Sequence, residues 1–404
     1  MNTSTEPTAE ALRANMVQTV LAAGYARTEP VEHAMCIVAR HLFVPDATLA
    51  AAYADDAVIT KRAADGAALS CASVPSVVAM MLDQLDVRPG DRILEIGAGT
   101  GYNAALLAHL AGSTGAVTTL DIDPEITGQA RRALDATGNH QVQVITRDGT
   151  HGALEQAPYD RIIVTVGAWD LPASWFDQLT PGGRLVVPLR WRGQTHSVAF
   201  SKEPDHLRSQ NLQLCGFVPM IGQHGEQHAA IDDAGDVTLY WDIDQDITPA
   251  DLHGVLQRER TEAWSGVTVG AEEPFSGAWL RLTATEPHTC RIAAHPTAVK
   301  TGTCTPAIPA RSPAIAEGDS LAYFTYRRLT SNNTETRRSE LGAVGHGTNG
   351  HDLAARLNDQ VRAWGSHRTT PPTITAHPPN TPLSELPSGL VIEKEHTRLV
   401  MRCE

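Results

Sequence analysis

The sequence is short of several things, and each shortage removes a class of protein. Its six cysteines, at positions 36, 71, 215, 290, 304 and 403, form no Cys-x-x-Cys pair and do not cluster with histidine at metal-ligand spacing. That excludes a disulfide framework and a zinc module, and it points to free thiols in a reducing compartment. The 17 histidines contain no His-Glu-x-x-His set, so no metal site is expected. Lysine is scarce, limited to Lys61, Lys202, Lys300 and Lys394, and this shortage carries no functional inference. Positive charge as a whole is in deficit: Lys plus Arg number 32 against 46 Asp plus Glu, for a net −14, which disfavours nucleic acid as a partner. No apolar run approaches the roughly 18 residues of a membrane span. The first residues, Met1 to Pro7, offer neither a basic region nor an apolar core for export. A cytoplasmic protein without membrane contact is the expectation. What remains is ordinary: 42% hydrophobic and 19% charged residues over 404 positions suit a globular chain of two or three domains.

Along the chain, residues 1–10 read as a disordered tail. Leu12, Met16, Val20 and Leu21 recur at helical spacing up to Gly24, and a second helix is expected over 31–40. From Asp91 short β-branched runs at 92–96, 116–120, 142–146, 161–166 and 184–187 alternate with helical patterns at 103–110, 124–136 and 175–179. That rhythm predicts a parallel sheet covered on both faces, an α/β domain over 11–220. Residues 221–236, rich in Gly, His, Gln, Ala and Asp, lack periodicity and read as a linker. An α+β domain over 237–404 should follow, with strands at 278–282, 321–326 and 390–393 and a helix at 353–364. The proline-rich stretch 369–387 should cross its surface in extended form.

The sharpest motif is Ile93-Leu94-Glu95-Ile96-Gly97-Ala98-Gly99-Thr100-Gly101, a buried strand that ends in three alternating glycines as a helix begins. Alternate glycines let the backbone turn tightly and approach a ligand at the carboxyl end of a strand. The dinucleotide fingerprint has its third glycine one position later, which favours a smaller nucleoside ligand here. Asp121 closes the next strand, where a carboxylate takes both ribose hydroxyls, and Asp148-Gly149 follows the third, where a carboxylate accepts from an exocyclic amine. The bland alternative is that the glycines only turn the chain and that Asp121 and Asp148 cap helices. The set resembles the S-adenosylmethionine site of class I methyltransferases. This implies a Rossmann-like fold, S-adenosylmethionine as cofactor with S-adenosylhomocysteine as product, and contacts from Glu95, Gly97, Gly99, Gly101, Asp121, Asp148 and Gly149. Glu95 either orients the methionine amino group or faces the glycine-loop amides.

Residues 11 to about 215 resemble the protein-L-isoaspartate O-methyltransferase family over far more than that loop. Arg40-His41-Leu42-Phe43-Val44-Pro45 and Ala52-Tyr53-Ala54-Asp55 look like its R-x-x-F-V-P and A-Y-x-D elements. Ala72-Ser73-Val74-Pro75 matches its I-S-Q-P turn in spacing, and Tyr102, Tyr159-Asp160 and the 179–188 segment agree in order. The resemblance implies a peptide or protein carrying Asp or isoAsp as partner, Ser73 as the group that holds the acceptor carboxylate, and Arg40, Tyr53 and Val74 at the substrate. From position alone, Ser73 equally well caps the helix that starts at Pro75, and Arg40 equally well braces the fold. Cys71 reads as a buried small residue rather than a nucleophile.

There are departures. Val74 stands where the family has glutamine, the stretch from Tyr53 to Ser73 is longer than usual, and the second domain is absent from the repair enzymes. Both additions look like the actinobacterial relatives that tailor ribosomally made peptides, in which an aspartate of a cyclised precursor is methylated and the ester closes to aspartimide or rearranges to isoaspartate. The second domain then recognises the peptide, or else serves only structure or assembly. Two further readings stand beside this one: general isoaspartate repair, and a non-catalytic module that binds S-adenosylmethionine or a peptide.

Overall fold

The computed structural model describes residues 7–329 and 338–403. The chain divides into two compact units, one running up to Leu189 and resuming over Thr195–Ile221, the other made of Arg190–Gln194 and the residues from Gly222 onward. No helix among the described residues is long and apolar enough to cross a membrane.

The first unit opens with α1 (Ala9–Ala22), α2 (Glu29–Ile37) and α3 (Leu49–Tyr53), followed by a hairpin of β1 (Val58–Arg62) and β2 (Ala68–Ala72) and by α4 (Pro75–Leu85). The Thr8 side chain caps α1, so the chain is helical from Ala9, earlier than the expected tail boundary; the rest of that tail, 1–6, lies outside the described residues. Helix α2 stops at Ile37 instead of reaching Arg40, because Val38 turns extended and Arg40–Phe43 forms a short 3₁₀ turn that buries both of its end residues.

Strands and helices then alternate: β3 (Arg92–Ile96), α5 (Tyr102–Ala111), β4 (Ala116–Asp121), α6 (Pro124–Ala136), β5 (Gln143–Thr146), β6 (Tyr159–Val164), α7 (Ala173–Gln178), β7 (Leu179–Trp191), β8 (Gln194–Lys202) and β9 (Leu207–Leu214). Their sheet runs β9-β8-β7-β6-β3-β4-β5. The pairs β3–β4, β3–β6, β4–β5 and β6–β7 are parallel, and β8–β9 is antiparallel. Ile93, Leu94 and Ile96 are all buried, as a strand covered on both faces requires. Helix α6 shows how the covering helices form: Asp123 caps it, Pro124 opens it, and Ile126, Ala130 and Leu134 recur every fourth residue on its buried side. Successive strands leave β3 first toward β4 and β5, then toward β6 and β7. The order therefore reverses at β3, and a crevice opens beyond its carboxyl end.

The second unit contains β10 (Glu226–Ala230), β11 (Val237–Asp242), α8 (Pro249–Leu252), β12 (Arg260–Gly270), α9 (Ser276–Thr285), β13 (Thr289–Ala294), α10 (Pro296–Thr301), β14 (Ser312–Glu317), β15 (Ser320–Arg328), β16 (Arg338–His346) and α11 (Gly350–Ser366), then β17 (Thr373–His377), β18 (Leu390–Glu393) and β19 (Arg398–Arg402). An antiparallel sheet runs β10-β11-β13-β14-β15-β16-β12, and β19 pairs antiparallel with β17 and β18. Leu353, Ala354, Leu357, Val361 and Trp364 of α11 form a core with Phe324, Leu341 and Ala343 of the sheet. The architecture is α+β.

Three expectations fail in this unit. Residues 278–282 are helical within α9, not a strand: their apolar run fits either period, and Ala278 and Leu282, four apart, pack with α11. The expected linker 221–236 contains β10, paired with β11 from Glu226↔Asp242 to Ala230↔Thr238; a strand at the end of a sheet with largely exposed side chains has no apolar period to read. The proline-rich stretch is not a surface crossing throughout, since β17 lies within it with Ile374 and Ala376 buried, and its proline pairs flank that strand without entering it.

Candidate functional site

A cavity of about 240 Å³ lies beyond the carboxyl end of β3, lined by residues of the first unit. Its floor is the loop after β3, of which Gly97, Ala98, Gly99 and Thr100 line the cavity; the three glycines take φ of 103°, 50° and 85°, and Gly101, expected at the cofactor, instead caps α5 outside the lining. At Gly97 the close approach is also steric, because an added Cβ would stand 2.5 Å from Thr165 Oγ1. The loop is stitched to β4: the amides of Gly97 and Ala98 donate to Leu120 O at 2.8 and 2.7 Å, and the Gly99 amide donates to Asp121 Oδ2 at 3.2 Å.

Two carboxylates face this cavity. Glu95 is fully buried; its Oε1 accepts from Asn103 Nδ2 at 2.8 Å and its Oε2 from Thr119 Oγ1 at 2.6 Å. Burial pushes its carboxyl up to about 7 against the pull of those two neutral donors. Of the two readings of Glu95, the one that faces it to the glycine-loop amides loses ground, since the amides of Gly97, Ala98 and Gly99 bond Leu120 and Asp121. Asp121, at the end of β4, also accepts from the Asp123 amide at 3.2 Å, and burial raises its pKa as well.

Ser73 and Val74 line the same cavity, along with Cys71, Val77, Ile59, Leu69 and Phe217. Val74, not Ser73, is the cap residue of α4, and it makes no side-chain capping bond. The Ser76 amide at that terminus is instead taken by Asp55 Oδ1 at 2.9 Å. Ser73 is therefore free of a capping role. Desolvation raises the pKa of the Cys71 thiol, against a nucleophile reading, but Cys71 is half-buried and lines the cavity instead of being fully buried as expected.

Other expected site residues do not line the cavity. Arg40 is fully buried, with Nε donating to Ala52 O at 2.8 Å, Nη2 to Ala72 O at 3.1 Å, and the guanidinium over the Tyr102 ring. Tyr53 is buried, its hydroxyl 2.7 Å from His41 Nδ1. Asp148 Oδ1 accepts from both the amide and the hydroxyl of Thr150 and so caps the turn Gly149–His151. Gly149 is a packing glycine: a Cβ there would come within 2.4 Å of Ile96 Cγ2. Conversely, the sequence reading missed Asn103 and Thr119, which hold Glu95, and the apolar wall from Ile59, Leu69 and Phe217. Asn103, one position into α5, was the only one with a positional signal.

Residues 11–225 match the family described as Protein-L-isoaspartate(D-aspartate) O-methyltransferase (PCMT). The protein-L-isoaspartate O-methyltransferase of Methanopyrus kandleri is 40% identical over 217 residues, covering 53% of this chain and 93% of that one. The enzyme of Hyperthermus butylicus is 39% identical over 222 residues, covering 53% and 90%. A solved structure of a Plasmodium falciparum protein described as a putative protein-L-isoaspartate O-methyltransferase, in complex with S-adenosyl-L-homocysteine, aligns over 54% of this chain and 100% of its own at 18% identity, with a TM-score of 0.47. More than half of the chain, including the glycine loop, both cavity carboxylates and the Ser73 turn, thus falls within the match, and the chain belongs to the protein-L-isoaspartate(D-aspartate) O-methyltransferase family of S-adenosylmethionine-dependent enzymes.

Proposed function

We propose that the first unit transfers a methyl group from S-adenosylmethionine to an aspartyl side-chain carboxylate of a peptide, with Ser73 holding the acceptor. The observation that carries this reading is that Ser73, Glu95, Gly97, Gly99 and Asp121 line one cavity. The residues suit the cofactor: a glycine floor lets its backbone-proximal atoms approach, a buried carboxylate answers an ammonium, and a second at the end of β4 answers ribose hydroxyls. When bound, the cofactor supplies an electrophilic methyl sulfonium. The chain does the rest. A carboxylate with an ordinary pKa of about 4 is already ionised at neutral pH, so the protein must exclude water and align, not abstract a proton. The Ser73 hydroxyl donates to that carboxylate, and the apolar wall of Ile59, Leu69, Val77 and Phe217 keeps solvent out. Asp148 and Gly149 act one step back, shaping the turn after β5.

The acceptor we infer is an aspartate of a cyclised, ribosomally made peptide. The backbone amide nitrogen that follows would then attack the ester and expel methanol, closing an aspartimide, which water would open to isoaspartate. Two features support this: the longer stretch before Ser73, which folds as the β1–β2 hairpin and contributes Ile59 and Leu69 to the cavity wall, and the second unit, which we assign to peptide recognition. An unselective aspartate methylase would damage every protein, so selectivity must come from contacts remote from the reacting carboxylate. Six free cysteines among the described residues fit a cytoplasmic protein. The test incubates the full chain and labelled S-adenosylmethionine with a linear isoaspartyl peptide and with candidate cyclic precursors. Methylation of the cyclic peptide followed by net loss of one water supports tailoring. Turnover of the isoaspartyl peptide alone supports repair, and absence of turnover on both leaves a binding module.

A further inference from the structure

Hairpin β1–β2 forms a two-stranded sheet of its own, outside the larger sheet. A lone hairpin is marginally stable in water, so whatever fastens it governs how readily it lifts. Ile59 of β1, Ala57 just before it, and Leu69, Ser70, Cys71 and Ala72 of β2 line the cavity. The Cys71 carbonyl oxygen lies 3.4 Å from the place a Cβ on Gly99 would take, so β2 crosses directly over the glycine loop. A ligand seated on that loop lies under the hairpin.

The base of the hairpin is held by Arg40 on Ala72 O and by Val58 and Ala72 in the core, and its far end is fastened at Lys61. The register of the hairpin slips on both sides of this residue, from Ile59↔Cys71 to Lys61↔Ser70 and again to Arg62↔Ala68. Bulges of this kind re-aim a side chain. Here Lys61 Nζ reaches Asp123 Oδ2 at 2.7 Å and Glu125 Oε2 at 2.6 Å. Both acids belong to the segment that follows Asp121: the Asp123 amide donates to Asp121 Oδ1, and Asp123 Oδ1 accepts from the Glu125 amide. One lysine therefore ties the hairpin to the stretch of chain that holds the ribose-facing carboxylate. Bonding to the two carboxylates raises the pKa of Lys61, and the ammonium lowers that of Asp123, so the pair stays ionised at neutral pH.

We propose that the β1–β2 hairpin is a lid over the cofactor cavity and that Lys61 is its latch, a positioning residue that sets how fast the cofactor leaves. The proposal rests on the reading that the cavity holds S-adenosylmethionine. Lifting the lid breaks both ion pairs of Lys61, and removing the lysine takes that barrier away without touching any group that lines the cavity. Lys61 and Asp123 are each 28% exposed in their side chains, so dissolved salt screens the latch.

The test follows release of S-adenosylhomocysteine from the full-length protein by stopped flow, at low and at high salt, for wild type, Lys61→Met and Lys61→Arg. At low salt Lys61→Met should release the ligand roughly three- to thirtyfold faster, as expected for two partly exposed ion pairs. Lys61→Arg should stay within about twofold of wild type, because it keeps the charge. High salt should speed wild type toward the Lys61→Met rate and leave Lys61→Met unchanged. Release from Lys61→Met at the wild-type rate, or a wild-type rate indifferent to salt, overturns the latch. Should Lys61→Met fail to fold, the wild-type salt response decides alone. A wild-type protein that binds no S-adenosylhomocysteine overturns the cofactor reading itself, which separates that failure from failure of the latch.

Discussion

The buried Glu95 makes cofactor binding depend on pH in a direction that can be worked out. Its carboxyl is raised to about 7 by burial, so in the ligand-free protein near neutrality a substantial share of it carries a proton. An ammonium brought to Glu95 favours the ionised form. Binding therefore expels a proton wherever the site starts protonated, and affinity should fall as pH drops through about 7, by up to tenfold per pH unit. Calorimetry with S-adenosylhomocysteine at about pH 8 and pH 6 should show weaker binding at the lower pH, with proton release visible as a buffer-dependent enthalpy. Glu95→Gln should bind more weakly at high pH and lose the slope. An affinity in wild type that is flat over this range, or a Glu95→Gln variant with the wild-type slope, refutes the reasoning.

The same residue acts on folding, and the sign can be checked separately. A carboxyl whose folded pKa lies above its unfolded value contributes stability that is fully present below the unfolded pKa and is lost as pH rises through the folded one. The window here runs from the ordinary 4.5 to about 7. Its full size is on the order of 3 kcal/mol. Thermal melts of the ligand-free protein should thus lose stability across that window, and Glu95→Gln should lose less, since the amide keeps a carbonyl for one of the two donors, Asn103 or Thr119, and carries no charge.

Three further outcomes follow from named contacts. Asp121→Ala should weaken S-adenosylhomocysteine binding by roughly ten- to a hundredfold in calorimetry, the scale of one or two charge-assisted hydrogen bonds; unchanged affinity in a folded variant refutes the assignment. Ser73→Ala should lower methyl transfer while cofactor affinity and melting temperature hold, because Ser73 caps nothing; wild-type turnover removes it from the mechanism. Arg40→Met should destabilise the protein by about 2 to 4 kcal/mol in denaturant melts, since it strips the carbonyls of Ala52 and Ala72 of a buried partner, and a loss of activity without loss of stability would place Arg40 at the substrate instead.

Legibility in the sequence tracked how local each cause was. Strand β3 and its glycine loop could be read because the buried run, the glycines and the helix start lie within ten residues. The β1–β2 hairpin could not: VITKR and ALSCA show no apolar alternation, and its fastening comes from Lys61 bonding acids more than sixty positions away. Strands β8 and β9 were missed for a related reason. The first is buried along most of its length but mixes His, Ser and Gln with Val and Phe, so neither alternation nor a continuous apolar run marks it. Asp148 was open to both readings because an Asp-Gly-Thr turn satisfies its own amide and hydroxyl locally, and the structure shows this cap made through Oδ1.

The family-like elements around the site divide by what they hold. Arg40, from R-x-x-F-V-P, bonds the carbonyl of Ala72, immediately before Ser73. Asp55, from A-Y-x-D, bonds the amide of Ser76, three residues after it. The same arginine bonds Ala52, which lies in the second of these elements. The turn bearing Ser73 is thus gripped on both sides by side chains that do not line the cavity, and the Ser73 hydroxyl is left to face it. A hydroxyl that must align an already ionised carboxylate against a methyl group needs fixed geometry more than altered chemistry, because effective concentration, not proton transfer, sets the rate of such a step. The spacing of these elements is then the spacing of a frame. Arg40 and Asp55 hold the turn from outside, Tyr53 packs against His41, and of these family-like elements it is the turn, through Ala72, Ser73 and Val74, that lines the cavity.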